Sequence, residues 1–200
     1  MALEEQPEKA FKSAKAFEAW LAKQHAKSGG IWLKFAKKGS GIASVAYVEA
    51  VEVALCYGWI DGQVRSLDAE FYVQRFTPRR ARSPWSKINC ARAAQLVEAG
   101  RMQAAGLSEM DRAKADGRWE AAYASPRAMV APDDFLQAVK SARMGKRWEA
   151  LDGRNRYAML YQIHDAKRPE TRARRIAKFV EMLRQGETLV CTMEWFTTDS

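Results

Sequence analysis

The residues best able to do chemistry crowd into one stretch, Gly58 to Asn89, which reads GWIDGQVRSLDAEFYVQRFTPRRARSPWSKIN. Its second half interleaves Arg79, Arg80, Arg82 and Lys87 with Phe76 and Trp85. Guanidinium forks grip phosphate or carboxylate through paired hydrogen bonds, and aromatic faces accept a stacked ring. Ser86 is placed to cap a helix through Lys87 and Asn89, whose free N–H groups would add positive potential at the same spot. The alternative reading is a solvated basic loop, stiffened by Pro78 and Pro84, with Trp85 as its core anchor. Earlier in the stretch, Asp61 sits between Trp59 and Gly62, with Gln63 beside it. A carboxylate there can act as a general acid or base or accept a hydrogen bond from a ligand. It can equally cap a turn while Trp59 fills core. Further on, Arg172 and Arg175 recur at helical spacing near Arg168, Arg174 and Lys178. Such a face is ordinarily solvated and paired with Glu170 or Glu181, but beside the Pro-Arg loop it would complete an electropositive groove.

Other chemistries find little support. Two histidines, His25 and His164, stand without a nucleophile motif,. The three cysteines, Cys56, Cys90 and Cys191, have no metal-ligand spacing and suit buried thiols in a reducing compartment,. Lys37-Lys-Gly-Ser-Gly lacks the order of a phosphate-binding P-loop,. No metal site and no cofactor is therefore expected. A formal charge of +9 makes an anionic small molecule or nucleic acid a partner worth testing,. The N-terminal residues carry Glu4, Glu5 and Glu8 and no apolar run, so a cytoplasmic location is expected,. No stretch approaches the roughly 20 apolar residues needed to cross a bilayer. Oligomeric state leaves no trace in the sequence.

These side chains need elements to hold them. Ala14, Phe17 and Leu21 give a short amphipathic helix that stops at Ser28-Gly29-Gly30, and Ile31 to Ala36 follows as a strand,. Ser44 is a plausible cap for a second helix with Tyr47, Val51, Ala54 and Leu55 on one face, ended by Gly58,. Gln63-Val-Arg and Phe71 to Phe76 predict a hairpin, with Tyr72, Gln74 and Phe76 on one face of its second strand. Helices are expected from Ser86 or Ser83 to Gly100, around 105–115, 132–141, 148–151 and 154–164, and from Pro169 to Gly186,. Thr188 to Phe196 is strand-like or a loose tail. The expected fold is α+β: a helix-dominated single domain over 13–186 with a sheet of about three strands in its N-terminal half, a polar lead-in at 1–12 and a tail at 187–200.

The chain resembles the YdeI/OmpD-associated, or bacteriocin-protection, family. The likeness rests on Ala54-Leu-Cys-Tyr-Gly-Trp-Ile-Asp-Gly-Gln, on Phe76-Thr-Pro-Arg-Arg-Ala-Arg-Ser-Pro-Trp-Ser-Lys-Ile-Asn and on Glu98-Ala-Gly-Arg-Met. It continues through Ala113-Lys-Ala-Asp-Gly-Arg-Trp-Glu-Ala-Ala-Tyr and Pro169-Glu-Thr-Arg-Ala-Arg-Arg-Ile, from about Phe11 to Gly186. What the resemblance implies is a link to survival against antimicrobial peptides or envelope stress, without agreed chemistry or established catalytic residues.

Three functions follow as expectations. The first is a stress-associated protein that holds an anionic ligand in a basic, aromatic cleft built from Trp59, Asp61, Gln63, Arg79, Arg82, Trp85, Lys87, Asn89, Arg172 and Arg175. Non-specific nucleic-acid binding is one form of it. The second is an enzyme acting on a small anionic substrate, with Asp61 as acid or base and Arg79 and Lys87 on the anion. The third is a protein–protein scaffold anchored by some of the seven tryptophans,.

Overall fold

Alternation of apolar residues at Ile31, Leu33 and Phe35 makes one side of β2 (Ile31–Ala36) a buried face,. The same period puts Tyr72, Gln74 and Phe76 of β4 (Phe71–Pro78) on that side. A computed structural model describes residues 6–190, and the chain divides into two compact units, Met1–Ala122 and Tyr123–Ser200. The first unit holds the sheet, in the order β1-β2-β4-β3, where β1 is Glu8–Ala10 and β3 is Trp59–Ser66. β2 and β3 both run antiparallel to β4, whereas β1 lies parallel to β2. The sheet thus has four strands rather than about three. The extra one is recruited from the polar lead-in, where three residues leave no periodicity to read.

Helices α1 (Ala14–Gln24) and α2 (Tyr47–Cys56) supply Phe17, Leu21, Val51 and Leu55 to the core beneath Ile31, Leu33, Phe35 and Phe76. Ser13 caps α1 as its hydroxyl accepts from the Ala16 amide,. Ser44 does not cap α2. Its hydroxyl accepts from the Ala36 amide instead, and Ala46 takes the cap position with its amide donating to Glu49. Gly58 ends α2 at φ 72°, a conformation that favours glycine,. Helices α3 (Lys87–Glu98) and α4 (Ala104–Ala115) complete the unit. Gly106 brings α4 so close to α2 that a Cβ there would lie 2.4 Å from the Cys56 carbonyl oxygen.

The second unit is helical: α5 (Asp133–Ser141), α6 (Gly145–Ala150), α7 (Gly153–Asp165) and α8 (Pro169–Gln185). Phe135, Met159, Ile163 and Phe179 form its core. Pro169 opens α8 and Gly186, at φ 76°, closes it,. Asn155, fully buried, bonds Asp152 and both the amide and the carbonyl of Val190. The strand-like reading of Thr188 to Phe196 lies mostly outside the described residues; Thr188, Leu189 and Val190 form no strand.

Candidate functional site

The Pro-Arg loop follows β4 directly, and its first arginine turns inward. Arg79 donates its backbone N–H to the Gly58 carbonyl, which extends the β3–β4 ladder by one bond. Its side chain is 5% exposed, with the guanidinium carbon 3.7 Å from the centre of the Trp85 ring. One guanidinium N–H reaches the Pro84 carbonyl at 3.2 Å. Trp85 is 1% exposed and packs against Trp119, ring centres 4.9 Å apart. The Arg79 guanidinium lies over the buried Trp85 ring, which meets the half-buried Trp119 at a tilt, and burial strengthens the cation–π contact,.

A second arginine fastens the loop from outside it. Arg118, in the turn after α4, donates to the Ser83 carbonyl at 2.8 Å and holds Asp116 with its Nε at 2.8 Å from both carboxylate oxygens. That guanidinium keeps the Asp116 carboxyl below its ordinary value. Ser83 closes the loop's own turn, its hydroxyl accepting from the Arg80 amide. Arg80, Arg82 and Lys87 remain exposed, and none makes an ion pair or side-chain hydrogen bond among the described residues. Ser86 caps α3 by accepting from the Asn89 amide, leaving the Lys87 and Ile88 amides without an intrahelical partner,. Asn89 itself is buried in that first turn.

Asp61 belongs to a different cluster on the same unit. β3 carries one extra residue between Asp61, opposite Phe76, and Val64, opposite Gln74. That bulge turns the Asp61 carboxylate toward α2 and β4. Its Oδ2 accepts from the Tyr47 hydroxyl at 2.7 Å and from Gln74 Nε2 at 3.0 Å, and Gln74 also donates to the Gly62 carbonyl. Burial, then the bond to Asp61, pushes the Tyr47 phenol above its ordinary value, so the phenol keeps its proton and donates it to that bond,. Gln63 sits exposed in the bulge, and Trp59 is core, its indole N–H donating to the His25 carbonyl. Among the described residues no hydrogen bond or ion pair joins Asp61 to Arg82 or Lys87.

Arg172 and Arg175 lie in the second unit and are engaged there. Arg172 grips Asp134 with two N–H groups, at 2.6 and 2.8 Å, and reaches the Ile163 carbonyl with a third. Arg175 bonds the Gln162 carbonyl and pairs with Asp165 at 3.5 Å. Both brace α8 against its neighbouring helices.

Neither described cysteine, Cys56 or Cys90, is poised as a nucleophile. Burial pushes the Cys56 thiol up to about 11, and Cys90 is raised by the same cause,. No group of three or more His, Cys, Asp or Glu among the described residues is placed to hold a metal ion, and no helix there is long and apolar enough to cross a membrane. Sequence reasoning missed Tyr47 and Gln74. Gln74 did carry a signal, as a polar residue on the apolar face of a strand between Tyr72 and Phe76,.

Comparison with known families divides the chain as the fold does. Residues 9–109, just over half of the chain, match a domain of unknown function (DUF8412), and residues 128–186 match the family described as bacteriocin-protection, YdeI or OmpD-associated. The first match falls within the sheet-bearing unit and the second within the helical unit. No curated protein and no solved structure matches.

Proposed function

Since the chain belongs to the DUF8412 family through residues 9–109 and carries a bacteriocin-protection, YdeI or OmpD-associated region at 128–186, we propose that it is a stress-protection protein whose sheet-bearing unit binds a phosphate-bearing anion. The Pro-Arg loop is the contact surface. One observation carries this reading. Arg79 and Trp85 are buried to fix the loop's shape, while Arg80, Arg82 and Lys87 stay exposed with no carboxylate to neutralise them. Holding several cations near one another without counter-charges costs free energy through like-charge repulsion, a cost that a bound anion removes. The Lys87 and Ile88 amides, which have no partner within α3, add donors of the right sign,. Arg172 and Arg175 are not needed for this reading.

Fluorescence anisotropy with a labelled single-stranded oligonucleotide, competed by inorganic pyrophosphate, tests it. Binding should fall steeply with salt. The combined change Arg80→Ser, Arg82→Ser and Lys87→Ser should weaken it and flatten the salt slope by about 2, near 0.7 per lost phosphate contact. Competition by pyrophosphate would indicate a small phosphorylated ligand, and its failure an extended strand. A flat salt titration, or a triple variant that binds as the unaltered chain does, refutes the reading.

A further inference from the structure

The helical unit contains a site of its own. A cavity of about 360 Å³ opens between the segment before α5 and the start of α7, walled by Met129, Ala131, Trp148, Tyr157 and Leu160, with Arg156 contributing the charge. That volume lies within the range of small-molecule pockets, which are typically apolar with a few placed polar groups. The walls are fixed independently of any ligand. His164 Nε2 donates to the Val130 carbonyl at 2.9 Å, which ties down the strip carrying Met129 and Ala131. Trp148 meets Phe135 edge-on, ring centres 5.0 Å apart, and the first turn of α7 is set by Asp152, whose carboxylate accepts from the Asn155 amide and side chain.

Asp152 is therefore committed to Asn155 and does not neutralise Arg156. Among the described residues the Arg156 side chain makes no hydrogen bond or ion pair, and it is exposed, so it stands at the cavity's rim. A half-open hollow with aromatic and aliphatic walls and one unmatched guanidinium at its mouth has the complement of an amphipathic anion. We propose that this cavity binds a small organic carboxylate with an aromatic body, the ring against Trp148 and Tyr157 and the carboxylate on Arg156. The guanidinium presents paired donors to the two carboxylate oxygens, and the ring offers aromatic side chains an edge-to-face or offset partner. The site is independent of the Pro-Arg loop, and the ligand class differs from the phosphate-bearing anion proposed there.

Gly153 supplies a clean test. It lines the cavity, its φ is not positive, and a Cβ built on it meets nothing within 4 Å. A large side chain there can be accommodated without straining the backbone and should occupy the mouth of the cavity. Isothermal titration calorimetry on the full chain would use indole-3-acetate as probe and tryptamine, the same ring with a cationic tail, as control. Indole-3-acetate should bind at least about tenfold more tightly than tryptamine, the discrimination expected of a charge-assisted pair. Arg156→Gln should weaken indole-3-acetate by about the same factor and leave tryptamine no weaker, since its ammonium loses a like-charged neighbour. Gly153→Phe should abolish binding of both, with circular dichroism and unfolding unaltered. Should Gly153→Phe misfold, Met129→Trp is the second filling variant. Equal binding by the unaltered chain and a folded filled variant overturns the proposal. So does failure of indole-3-acetate to bind at millimolar concentration, or an Arg156→Gln variant that keeps the preference for the carboxylate.

Discussion

The stack of Arg79 on Trp85 makes a prediction whose size follows from its geometry. Replacing Arg79 by Met keeps the apolar stem but removes the charge, and replacing Trp85 by Leu removes the ring. Each single change mixes opposing effects. Arg79→Met loses a charged hydrogen bond to Pro84, about 1.5–3 kcal/mol,, but also relieves the chain of a buried guanidinium, whose desolvation costs several kcal/mol. Trp85→Leu leaves a cavity whose cost approaches the roughly 3–5 kcal/mol of a buried Trp→Ala change. The double-mutant cycle separates the pair from these terms. A guanidinium carbon 3.7 Å from the ring centre, with both groups buried, belongs at the desolvated end of the cation–π range. The coupling should be about 2 kcal/mol, or about thirtyfold in the unfolding constant. Five of the seven tryptophans lie in the first unit and Trp148 in the second, so whole-chain fluorescence would blend two transitions,. Native-state hydrogen exchange at the β4 amides reads the first unit alone. A coupling below about 0.5 kcal/mol, the low end for exposed pairs, would refute the view that the stack holds the loop.

Two further predictions concern the scaffold. Gly106→Ala should destabilise the first unit by about 1–3 kcal/mol, because its Cβ would collide with the Cys56 and Leu55 carbonyls,. Gly29→Ala, with open space and no positive φ, should be neutral or slightly stabilising; equal effects in β4 exchange rates would contradict that close approach,. In the second unit, Arg172 holds the Asp134 carboxyl below its ordinary value of 3.8. The folded unit therefore binds fewer protons there than the unfolded chain, and the stability this contributes is present above pH 3.8 and lost as pH falls through the lowered value,. Asp134→Asn should flatten that part of the acid-unfolding curve, followed through the α5 and α8 amides, and an unchanged curve would show the pair to be inert.

Much of the framework was legible because its signals are local. Ser86, Gly58, Pro169 and Gly186 each mark a helix end by the chemistry of that one residue, and each stands at an observed helix end. The alternation in Ile31 to Ala36 and Phe71 to Phe76 placed two strands and their buried faces. What escaped depends on distant partners. β1 exists because β2 offers a free margin, and nothing in Glu8-Lys-Ala announces that. Arg79 and Arg82 look alike in the sequence, yet only Arg79 meets a tryptophan face and a carbonyl that make burial tolerable. The pairing of Asp61 with Tyr47 joins residues across a helix and a strand, through a bulge that hydrophobic periodicity cannot register.

That bulge has a bearing on the exposed edge of the sheet. β3 is the last strand of the sheet, and past Asp61 it runs exposed through Val64, the sort of margin onto which another chain can lay a strand of its own,. The extra residue near Gly62 interrupts the regular row of donors and acceptors that such an intruder would need,. On the opposite margin β1 is only three residues long, too short a template to propagate. The residue geometry that aims Asp61 at Tyr47 thus also makes the outer edge of β3 an irregular template for a further strand,.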